Sequence, residues 1–295
     1  MPAAVPVFEI PPSPELRRFS VVHLIRGGKY EDFETLVDFL IEEKEIGVLN
    51  QLDATFGNEQ LGRMNMAGSA ACYPIHWACR REDDSRFLKL LVGDKCKVSI
   101  SVPTEDEMKS HPIHWAASAG LIAHVSILLN ASKSGGNAKE IIHDRDSSGC
   151  TPLLIAAQNG HANLAAFLIQ NGADAMAVDE HNDSALHWAA YNGDPNIVGL
   201  MLHTSIQSIH LDAADSYGQT PLHLSAFRGN AEVVQYLLFD AGSQAYNVED
   251  RKGHTPLDLA TRKKRDGCIV LLKSYEKRKL KNLSFSGQVS SFGRE

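Results

Sequence analysis

The sequence lacks the cysteine pattern of a disulfide-bonded or zinc-binding protein. It has five cysteines, an odd number, and they are scattered with no Cys-x-x-Cys pair. Such a set argues against a disulfide framework. His76 and Cys79 lie three residues apart, but two ligands without a second pair at zinc-site spacing do not predict a metal centre. We therefore expect a protein of a reducing compartment, cytoplasmic or nuclear.

Long apolar runs and catalytic motifs are also missing. No stretch of the sequence approaches the eighteen or so apolar residues that a membrane-spanning helix needs. The proline-rich start, residues 1–16, has neither a basic beginning nor an apolar core, which favours a flexible tail over a signal peptide. GxSxG, HExxH, phosphate-loop and kinase patterns do not occur. We expect no catalytic, cofactor-binding or metal-binding residue, and hence no enzyme.

Charge is distributed unevenly along the chain. The net charge is −7, yet residues 251–281 contain eleven basic and three acidic residues. The rest of the chain is therefore strongly acidic, which disfavours nucleic-acid binding by the whole surface. The basic runs 262–265 and 277–281 are typical of a solvated helix end. Alternatively, they contact an acidic partner or, weakly, an anionic membrane, or form a nuclear-import signal.

One short line of sequence occurs several times. HPIHWAAS begins at His111, SALHWAAY at Ser184 and TPLHLSAF at Thr220. Six such lines follow one another at intervals of 33 to 40 residues, and they start at Tyr73, His111, Thr151, Ser184, Thr220 and Thr255. A weaker copy, SVVHLIRGG, starts at Ser20. A period of this length is typical of a repeat architecture.

Each line predicts a short helix, a break and a second helix. Thr or Ser supplies a side-chain oxygen for the helix N-terminus, and Pro follows where its missing N–H costs nothing. A small Ala-Ala pair gives a close-packing face, and a glycine ends the helix. Apolar residues at helical spacing, such as Leu164, Phe167 and Leu168, then predict the second helix. An Asp-x-x-Gly turn leads to the next copy.

The combined pattern D-x-x-G-x-T-P-L-H-x-A-A-x-x-G-H, followed by an apolar helix and G-A-D, resembles the ankyrin repeat. Residues 147–272 match it well, residues 70–130 match with Lys109 in place of the turn glycine, and residues 17–45 match loosely. The resemblance implies an all-α ankyrin-repeat solenoid of stacked helix-turn-helix units with hairpin-like turns. It implies about seven repeats, the first degenerate, over residues 17–276. Neighbouring units must stack because one helix pair cannot bury its own apolar face.

Several segments fall outside the repeat period. Residues 55–72 form an insertion and residues 131–146 lengthen a connection, and both are predicted to loop out on one face. Residues 277–295 predict a basic and then disordered C-terminal tail. Asn247, through the family resemblance, and Ser284 and Ser286, through their place after the basic stretch, are candidate modification sites.

Five histidines occupy one motif position, namely His23, His76, His114, His187 and His223. The resemblance implies that this histidine hydrogen-bonds within its own repeat and to a neighbouring turn. That role accounts for it without catalysis.

The candidate site is the concave groove that the resemblance implies. In ankyrin proteins the two residues after the Ala-Ala pair point into this groove. Among these positions we predict as partner-binding Arg80, Arg81, Gln158, Asn159, Tyr191, Asn192, Phe227, Arg228, Arg262 and Lys263. Tyr191 and Phe227 are expected to be exposed aromatic anchors beside Arg228, and turn-tip residues such as Tyr217 and Arg251 extend the same surface.

Three tryptophans follow the motif histidine directly: Trp77, Trp115 and Trp188. One interpretation is that they pack between neighbouring inner helices. The other is that they line the groove as a row of aromatic edges, because tryptophan offers a large contact area at low entropic cost. Both interpretations stay open, and the three residues count as candidates for partner binding.

These features predict a monomeric, non-enzymatic scaffold that binds a segment of a protein partner in its groove. Specific nucleic-acid binding is not expected. Two alternatives stay open. Residues 187–191 resemble stretches in the ankyrin domains of protein S-acyltransferases, so the chain could recruit substrates for such a membrane enzyme, although it has no Asp-His-His-Cys motif. The acidic bulk also fits an inhibitor that masks a basic partner.

Overall fold

The computed structural model describes residues 9–11, 14–50, 72–82, 84–134, 141–204 and 211–289 of the 295-residue chain. Residues 55–71 of the predicted insertion 55–72, residues 135–140 in the middle of the long connection, and most of the N-terminal tail lie outside the described residues. The side chains of Ser284 and Ser286 lie outside them as well. The predictions made for these segments stay predictions.

Helix pairs follow one another along the described residues, within which no β-strand is formed. The seven pairs are α1 (Pro14–Gly27) with α2 (Tyr30–Glu42), α3 (Pro74–Arg80) with α4 (Arg86–Val92), α5 (Pro112–Ser118) with α6 (Ile122–Ser134), α7 (Pro152–Gln158) with α8 (Ala162–Gln170), α9 (Ala185–Asn192) with α10 (Pro195–Thr204), α11 (Pro221–Arg228) with α12 (Ala231–Gln235), and α13 (Pro256–Arg262) with α14 (Asp266–Val289). A π-helical turn, Tyr236–Asp240, extends α12. The predicted all-α architecture of about seven helix pairs is confirmed.

The chain divides into two compact units, Met1–Ile155 and Ala156–Glu295, so that the boundary falls within α7. In the first unit the inner helices α1, α3 and α5 pack in sequence, and the outer helices α2, α4 and α6 pack in the same order. The second unit repeats this arrangement with α9, α11 and α13 inside and α8, α10, α12 and α14 outside. Fully buried Ala190 and Ala226 let the inner helices approach closely, and Val198 and Val234 fill the layer behind them.

A reciprocal hydrogen-bonded box closes the N-terminus of an inner helix. In α13, the Thr255 N–H and hydroxyl donate to Asp258 Oδ2 at 2.9 and 2.7 Å, and Asp258 N–H donates back to Thr255 Oγ1 at 3.2 Å. In α9 the third helical residue is a histidine. Nδ1 of His187 accepts from the Ser184 N–H at 3.2 Å and from its hydroxyl at 2.8 Å. The imidazole therefore fills the role that Glu or Gln has in other capping boxes.

The second ring nitrogen of the same histidine reaches a carbonyl near the start of the following repeat. His187 Nε2 lies 3.1 Å from Ala213 O. The other rings bond in the same way to Ser110 O from His76, to Asp144 O from His114, and to Val248 O and His254 O from His223. Since Nδ1 accepts a backbone N–H, the ring proton sits on Nε2 and is donated to the carbonyl. The predicted structural role of these four histidines is confirmed.

Burial keeps these imidazoles neutral. It lowers the pKa of His76 and the pKa of His114 to about 4. It also lowers the pKa values of His187 and His223. Protonation of Nδ1 would place a second N–H against the backbone N–H that the nitrogen now accepts, so the neutral form is the one that fits the box.

The first repeat differs from the sequence interpretation. Helix α1 begins at Pro14, and His23 lies exposed on its surface while Val21, Val22 and Ile25 are buried. The line from Ser20 is thus the middle of a helix, with no capping turn before it. The placement of His23 in the motif position was wrong.

The last helix also runs further than the repeat pattern indicates. Helix α14 continues to Val289, so residues 277–281 lie on a helix instead of beginning a tail. Just before this stretch, Tyr275 anchors the helix, because its ring is buried edge-on against Phe239 at 5.3 Å and Tyr246 at 5.4 Å. None of the helices in the described part of the chain combines the length and the apolar character needed to cross a membrane.

A glycine and a polar side chain from the next repeat close the C-terminus of α9. Gly193 ends the helix with φ 78°. Asn230 Nδ2 donates to the carbonyls of Ala190 and Tyr191 at 2.8 and 3.0 Å. A Cβ on Gly193 would lie 2.6 Å from Asn230 Cγ. Both the left-handed backbone and the approach of this amide therefore require glycine here.

The same device recurs at other inner-helix ends. Arg265 Nε donates to Phe227 O at 3.4 Å beside Gly229, and a Cβ on that glycine would lie 2.7 Å from Arg265 Cδ. At the end of α1, Arg81 Nη1 donates to Ile25 O at 2.8 Å and to Arg26 O at 3.1 Å. Side chains from the following repeat thus satisfy carbonyls that a helix end leaves without intrahelical partners.

We expect Gly193→Ala to destabilise the fold more than Gly242→Ala does. Gly242 has a similar φ of 76° but no atom within 4 Å of an added Cβ, so it shares only the backbone strain. That strain costs about 1–2 kcal/mol. Displacing Asn230 should add about 1 kcal/mol for each of its two hydrogen bonds. Urea unfolding measures both variants, and the difference should vanish when Asn230 is alanine. If Gly193→Ala and Gly242→Ala lower the free energy of unfolding equally in a chain that keeps Asn230, the contact between Gly193 and Asn230 does not exist as described.

The turn before α9 holds a carboxyl group where the next turn holds an amide. Gln219 Nε2 donates to Asp250 Oδ2 at 3.3 Å. Asp183 has the equivalent position one repeat earlier, four residues after the turn residue Asp179. Burial, and then the charges of Asp179 and Asp215, raise the pKa of Asp183 to about 7. In weakly acidic solution Asp183 is therefore protonated in the folded chain, whereas it is ionised in the unfolded chain.

We expect Asp183→Asn to stabilise the fold by an amount that depends on pH. The folded pKa of about 7 lies above the unfolded value of about 3.9. Ionisation therefore favours the unfolded chain increasingly as pH rises between these values. The gain from Asn should be smallest near pH 4, grow to about pH 7 and stay constant above it. Urea midpoints across this range test it, with Gln219→Glu as the reverse substitution, expected to lose stability over the same range. A gain independent of pH would refute the assignment.

Candidate functional site

The C-terminal ends of α9, α11 and α13 share one surface with the turns that precede α11 and α13. This surface encloses a depression of about 630 Å³, which we call the groove. Leu224 and Leu259 supply apolar lining, and Tyr191, Phe227 and Tyr217 supply aromatic lining. The inner helices begin in the same register, so successive repeats place equivalent side chains next to one another.

Two aromatic rings of this surface, Tyr191 and Phe227, are each covered by a cation from the following repeat. The Arg228 guanidinium lies 4.5 Å from the ring centre of Tyr191, and Lys263 Nζ lies 4.6 Å from that of Phe227. Exposed contacts of this kind contribute about 0.5–1 kcal/mol. Tyr191 and Phe227 are half-buried, so the expectation that both are exposed was wrong. Tyr217 on the turn is the aromatic that is open to solvent, with 55% of its surface exposed.

The turn side of the groove is fixed by backbone and ring contacts. The Arg251 N–H donates to Tyr217 O at 3.0 Å, which joins two successive turns. The Tyr217 ring stacks on His181 with the ring centres 6.1 Å apart and an angle of 17°. The predicted extension of the surface to Tyr217 and Arg251 agrees with this geometry.

Asp250 is the carboxylate that lines the groove, and its oxygens point into the turn. It accepts hydrogen bonds from the N–H groups of Lys252 and His254, both at 2.9 Å, and from the Gln219 amide. Burial opposes the charge of Asp250, but these hydrogen bonds outweigh burial and lower its pKa. The turn itself therefore stabilises the negative charge of the Asp250 carboxylate.

Four of the predicted partner-binding residues lie in the first unit. Trp77 and Trp115 contact each other edge to face with ring centres 5.6 Å apart, and both are half-buried. Arg26 covers Trp77 at 4.6 Å, and Arg80 lies 6.0 Å from the Trp115 ring centre. The tryptophans thus pack between inner helices and also present part of their rings at the surface. Arg81 does not join them, because it caps α1.

In the second unit, Trp188 is tied to its own repeat. Its Nε1 donates to Asp179 Oδ2 at 3.3 Å, and its ring meets Tyr191 edge-on with the centres 6.3 Å apart. Trp188 therefore supports the groove residue Tyr191 from beside it, and it does not line the groove.

Asn192 serves the fold. Its Nδ2 donates to Gln158 O at 2.7 Å and to Ala157 O at 3.3 Å, which closes the end of α7. Gln158 and Asn159 are exposed and line a separate polar depression together with Asn192 and Asp194. The structure thus does not bring Asn192, Gln158 or Asn159 to the aromatic groove, although the motif position is the same.

Sequence reasoning missed Leu224 and Leu259. Both hold the position that follows the motif histidine or its equivalent, where α3, α5 and α9 carry tryptophan. Leucine is smaller than tryptophan, and both leucines line the groove, whereas Trp188 does not. In the sequence, the change from Trp to Leu at this position is the feature from which the depression could have been predicted.

Comparison with known proteins agrees with the repeat pattern and the helix pairs. The family described as "Ankyrin repeats (3 copies)" matches residues 131–212 and 186–282, which together cover just over half of the chain. The human transient receptor potential cation channel subfamily A member 1 is 30% identical over 137 residues, 46% of this chain and 11% of that protein.

Two further relatives match a similar share of the chain. The chicken nuclear factor NF-kappa-B p105 subunit is 30% identical over 138 residues, 46% of this chain and 14% of that protein. The human B-cell lymphoma 3 protein is 29% identical over 153 residues, 52% of this chain and 33% of that protein. The chain therefore spans no more than a third of the length of these relatives. On this evidence the chain belongs to the ankyrin-repeat family.

Proposed function

We propose that this chain is a non-enzymatic interaction module that binds a segment of a partner protein in the groove of its second unit. Ankyrin repeats generally mediate protein–protein interaction. The observation that supports the groove is its set of three aromatic rings and two leucines around one depression. Tyr191, Phe227 and Arg228 anchor the contact.

The anchors are suited to binding because they are already ordered. Arg228 and Lys263 hold the faces of the two inner rings, and Trp188 supports Tyr191 from its edge. Binding then costs little side-chain entropy, since these rings do not have to be immobilised by the partner. Aromatic and arginine side chains around a desolvated depression are the usual composition of interface hot spots.

The relatives do not identify the partner. Their names describe a cation channel, a nuclear factor subunit and a B-cell lymphoma protein, which have different functions on a shared repeat. We propose further that the chain is a monomer in the cytoplasm or the nucleus. A module that recruits substrates for a membrane S-acyltransferase is the alternative proposal.

A basic partner is disfavoured at this groove. Arg251, Lys252, Arg262 and Lys263 all line it, so a basic segment would meet like charge. The alternative of an inhibitor that masks a basic partner would therefore have to use another surface.

The contact of the basic C-terminal stretch with an anionic membrane is a second proposal. Helix α14 exposes Val270 and Leu280, by 66% and 61%, beside Lys277 and Lys281. Lysines next to exposed apolar side chains favour the surface of an anionic bilayer, at about 1 kcal/mol for each lysine. Sedimentation with phosphatidylserine vesicles tests it, and binding that is unchanged when Lys277 and Lys281 are glutamine would exclude it.

We expect Phe227→Ala and Tyr191→Ala to lose at least one partner protein. Truncation of a hot-spot side chain costs about 2 kcal/mol or more, so its recovery should fall by at least about tenfold. The measurement is quantitative mass spectrometry of proteins captured on the purified chain, with thermal melts to show that the variants stay folded. Met108→Ala, which shortens an exposed side chain of the first unit, is the control. If all three variants keep every partner of the wild type, the groove is not the binding site.

A further inference from the structure

Positively charged side chains line two sides of the groove. Arg251 and Lys252 lie on the turn side, and Arg262 and Lys263 lie at the end of α13. All four side chains are exposed. Within the described residues none of the four has a carboxylate partner, whereas Lys95 pairs with Asp38 in the first unit at 3.0 Å. Neighbouring cations without counter-charges repel one another, so an anionic occupant relieves a repulsion that the free chain carries.

The negative charges near the groove do not neutralise it. Asp250 is turned inward and holds the N–H groups of its own turn. Glu180 and Glu249 are exposed on neighbouring turns, but neither lines the depression. The lining therefore presents four cations against one carboxylate that is already hydrogen-bonded.

One of the four lining cations has a charged group with a defined position. Lys263 Nζ rests on the Phe227 ring. The backbone N–H of Arg251 donates to Tyr217 O, which places the start of that side chain beside the groove. A partner's carboxylate that contacts Lys263 therefore meets a charge that the fold has already placed, which lowers the entropic cost of this contact.

We propose that the bound segment is acidic: an extended stretch of polypeptide with carboxylates on either side of one large apolar side chain. The apolar side chain packs on Leu224 and Leu259, and the carboxylates contact Arg251 and Lys252 on one side and Arg262 and Lys263 on the other. This inference rests on the proposed function, because it assigns the chemistry of the segment that the groove binds.

A polypeptide fits this surface better than a nucleic acid. Nucleic-acid binding needs cations that follow a phosphate backbone over several nucleotides. Here the lining cations flank a floor of two leucines, and residues outside 251–281 make the chain strongly acidic. Long-range repulsion by that acidic body acts against a polyanion, whereas a short acidic segment can enter the local positive field.

The test is selection of a random peptide library, displayed on phage, against the full chain. Enriched peptides are synthesised with a fluorophore, and their affinities are measured by anisotropy. We expect enriched sequences to carry at least about two more acidic than basic residues, with binding that weakens as salt rises from about 50 to about 500 mM.

The double variant Arg262→Gln with Lys263→Gln should lower affinity at least about tenfold. Arg251→Gln with Lys252→Gln is a second test, and Lys89→Gln with Lys97→Gln in the first unit is the matched control.

The possible results separate the two claims. Enriched peptides that are neutral, and that lose binding with Phe227→Ala but not with the charge variants, leave the groove in place and overturn the acidic assignment. Peptides that bind Phe227→Ala and both charge variants as tightly as the wild type show that the groove itself is wrong. Failure to enrich any peptide contradicts both claims. A labelled dT12 oligonucleotide that binds more tightly than the selected peptides overturns the choice of a polypeptide.

Discussion

In four of the described repeats, a neutral imidazole shared between two backbone segments ties one repeat to the next. Its Nδ1 accepts the N–H that opens its own inner helix, and its Nε2 donates to a carbonyl near the start of the next repeat, as in His187 with Ser184 and Ala213. One side chain thus fixes both where an inner helix begins and where the following turn lies. Within a unit, every surface feature that recurs from repeat to repeat depends on this register, because a displaced helix would turn its side chains to another face.

The opposite ends of the inner helices are set by a second, complementary constraint. A left-handed glycine leaves room for a polar side chain of the next repeat, as Gly193 does for Asn230. The glycine and the histidine define both ends of α9 and α11, and the last residues of α9, α11 and α13 come to one surface. The groove follows from this, since Tyr191 and Phe227 receive the cations Arg228 and Lys263 from the repeats that come after them.

The motif predicted the architecture well because its signals are local. A cap, a proline, a small pair and a glycine specify each inner helix through contacts within a few residues. The motif also predicted the role of the four buried histidines correctly. It failed at His23, where a similar sequence lies inside the longer helix α1.

Site residues were harder to predict because their roles depend on neighbours in other repeats. Arg80 and Arg81 are adjacent in sequence and hold the same class of position. Arg80 lies at the Trp115 ring, whereas Arg81 reaches the carbonyls of Ile25 and Arg26. Asn192 is similarly drawn to the end of α7. Such distinctions depend on which carbonyls and rings lie within reach, and that is a property of the packed repeats.

The groove could have been predicted from the residue that follows the motif histidine, or its equivalent, in each repeat. Tryptophan in α9 gives way to the smaller Leu224 and Leu259 in α11 and α13, and these two leucines line the groove beside Tyr191 and Phe227. The proposed acidic segment extends this line of reasoning from shape to charge, because the lining cations lack carboxylate partners within the described residues.

The shared imidazoles are the part of the account that a direct measurement can decide. Long-range proton–nitrogen NMR correlations report the tautomer and the protonation state of each ring. At about pH 5.5, where a free histidine with a pKa near 6.5 is mostly charged, His76 and His114 should remain neutral. Near neutral pH, all four shared rings, including His187 and His223, should carry their proton on Nε2. If His76 and His114 are charged at the lower pH, or if the four rings carry their proton on Nδ1 near neutral pH, the imidazoles do not tie the repeats together and the register needs another explanation.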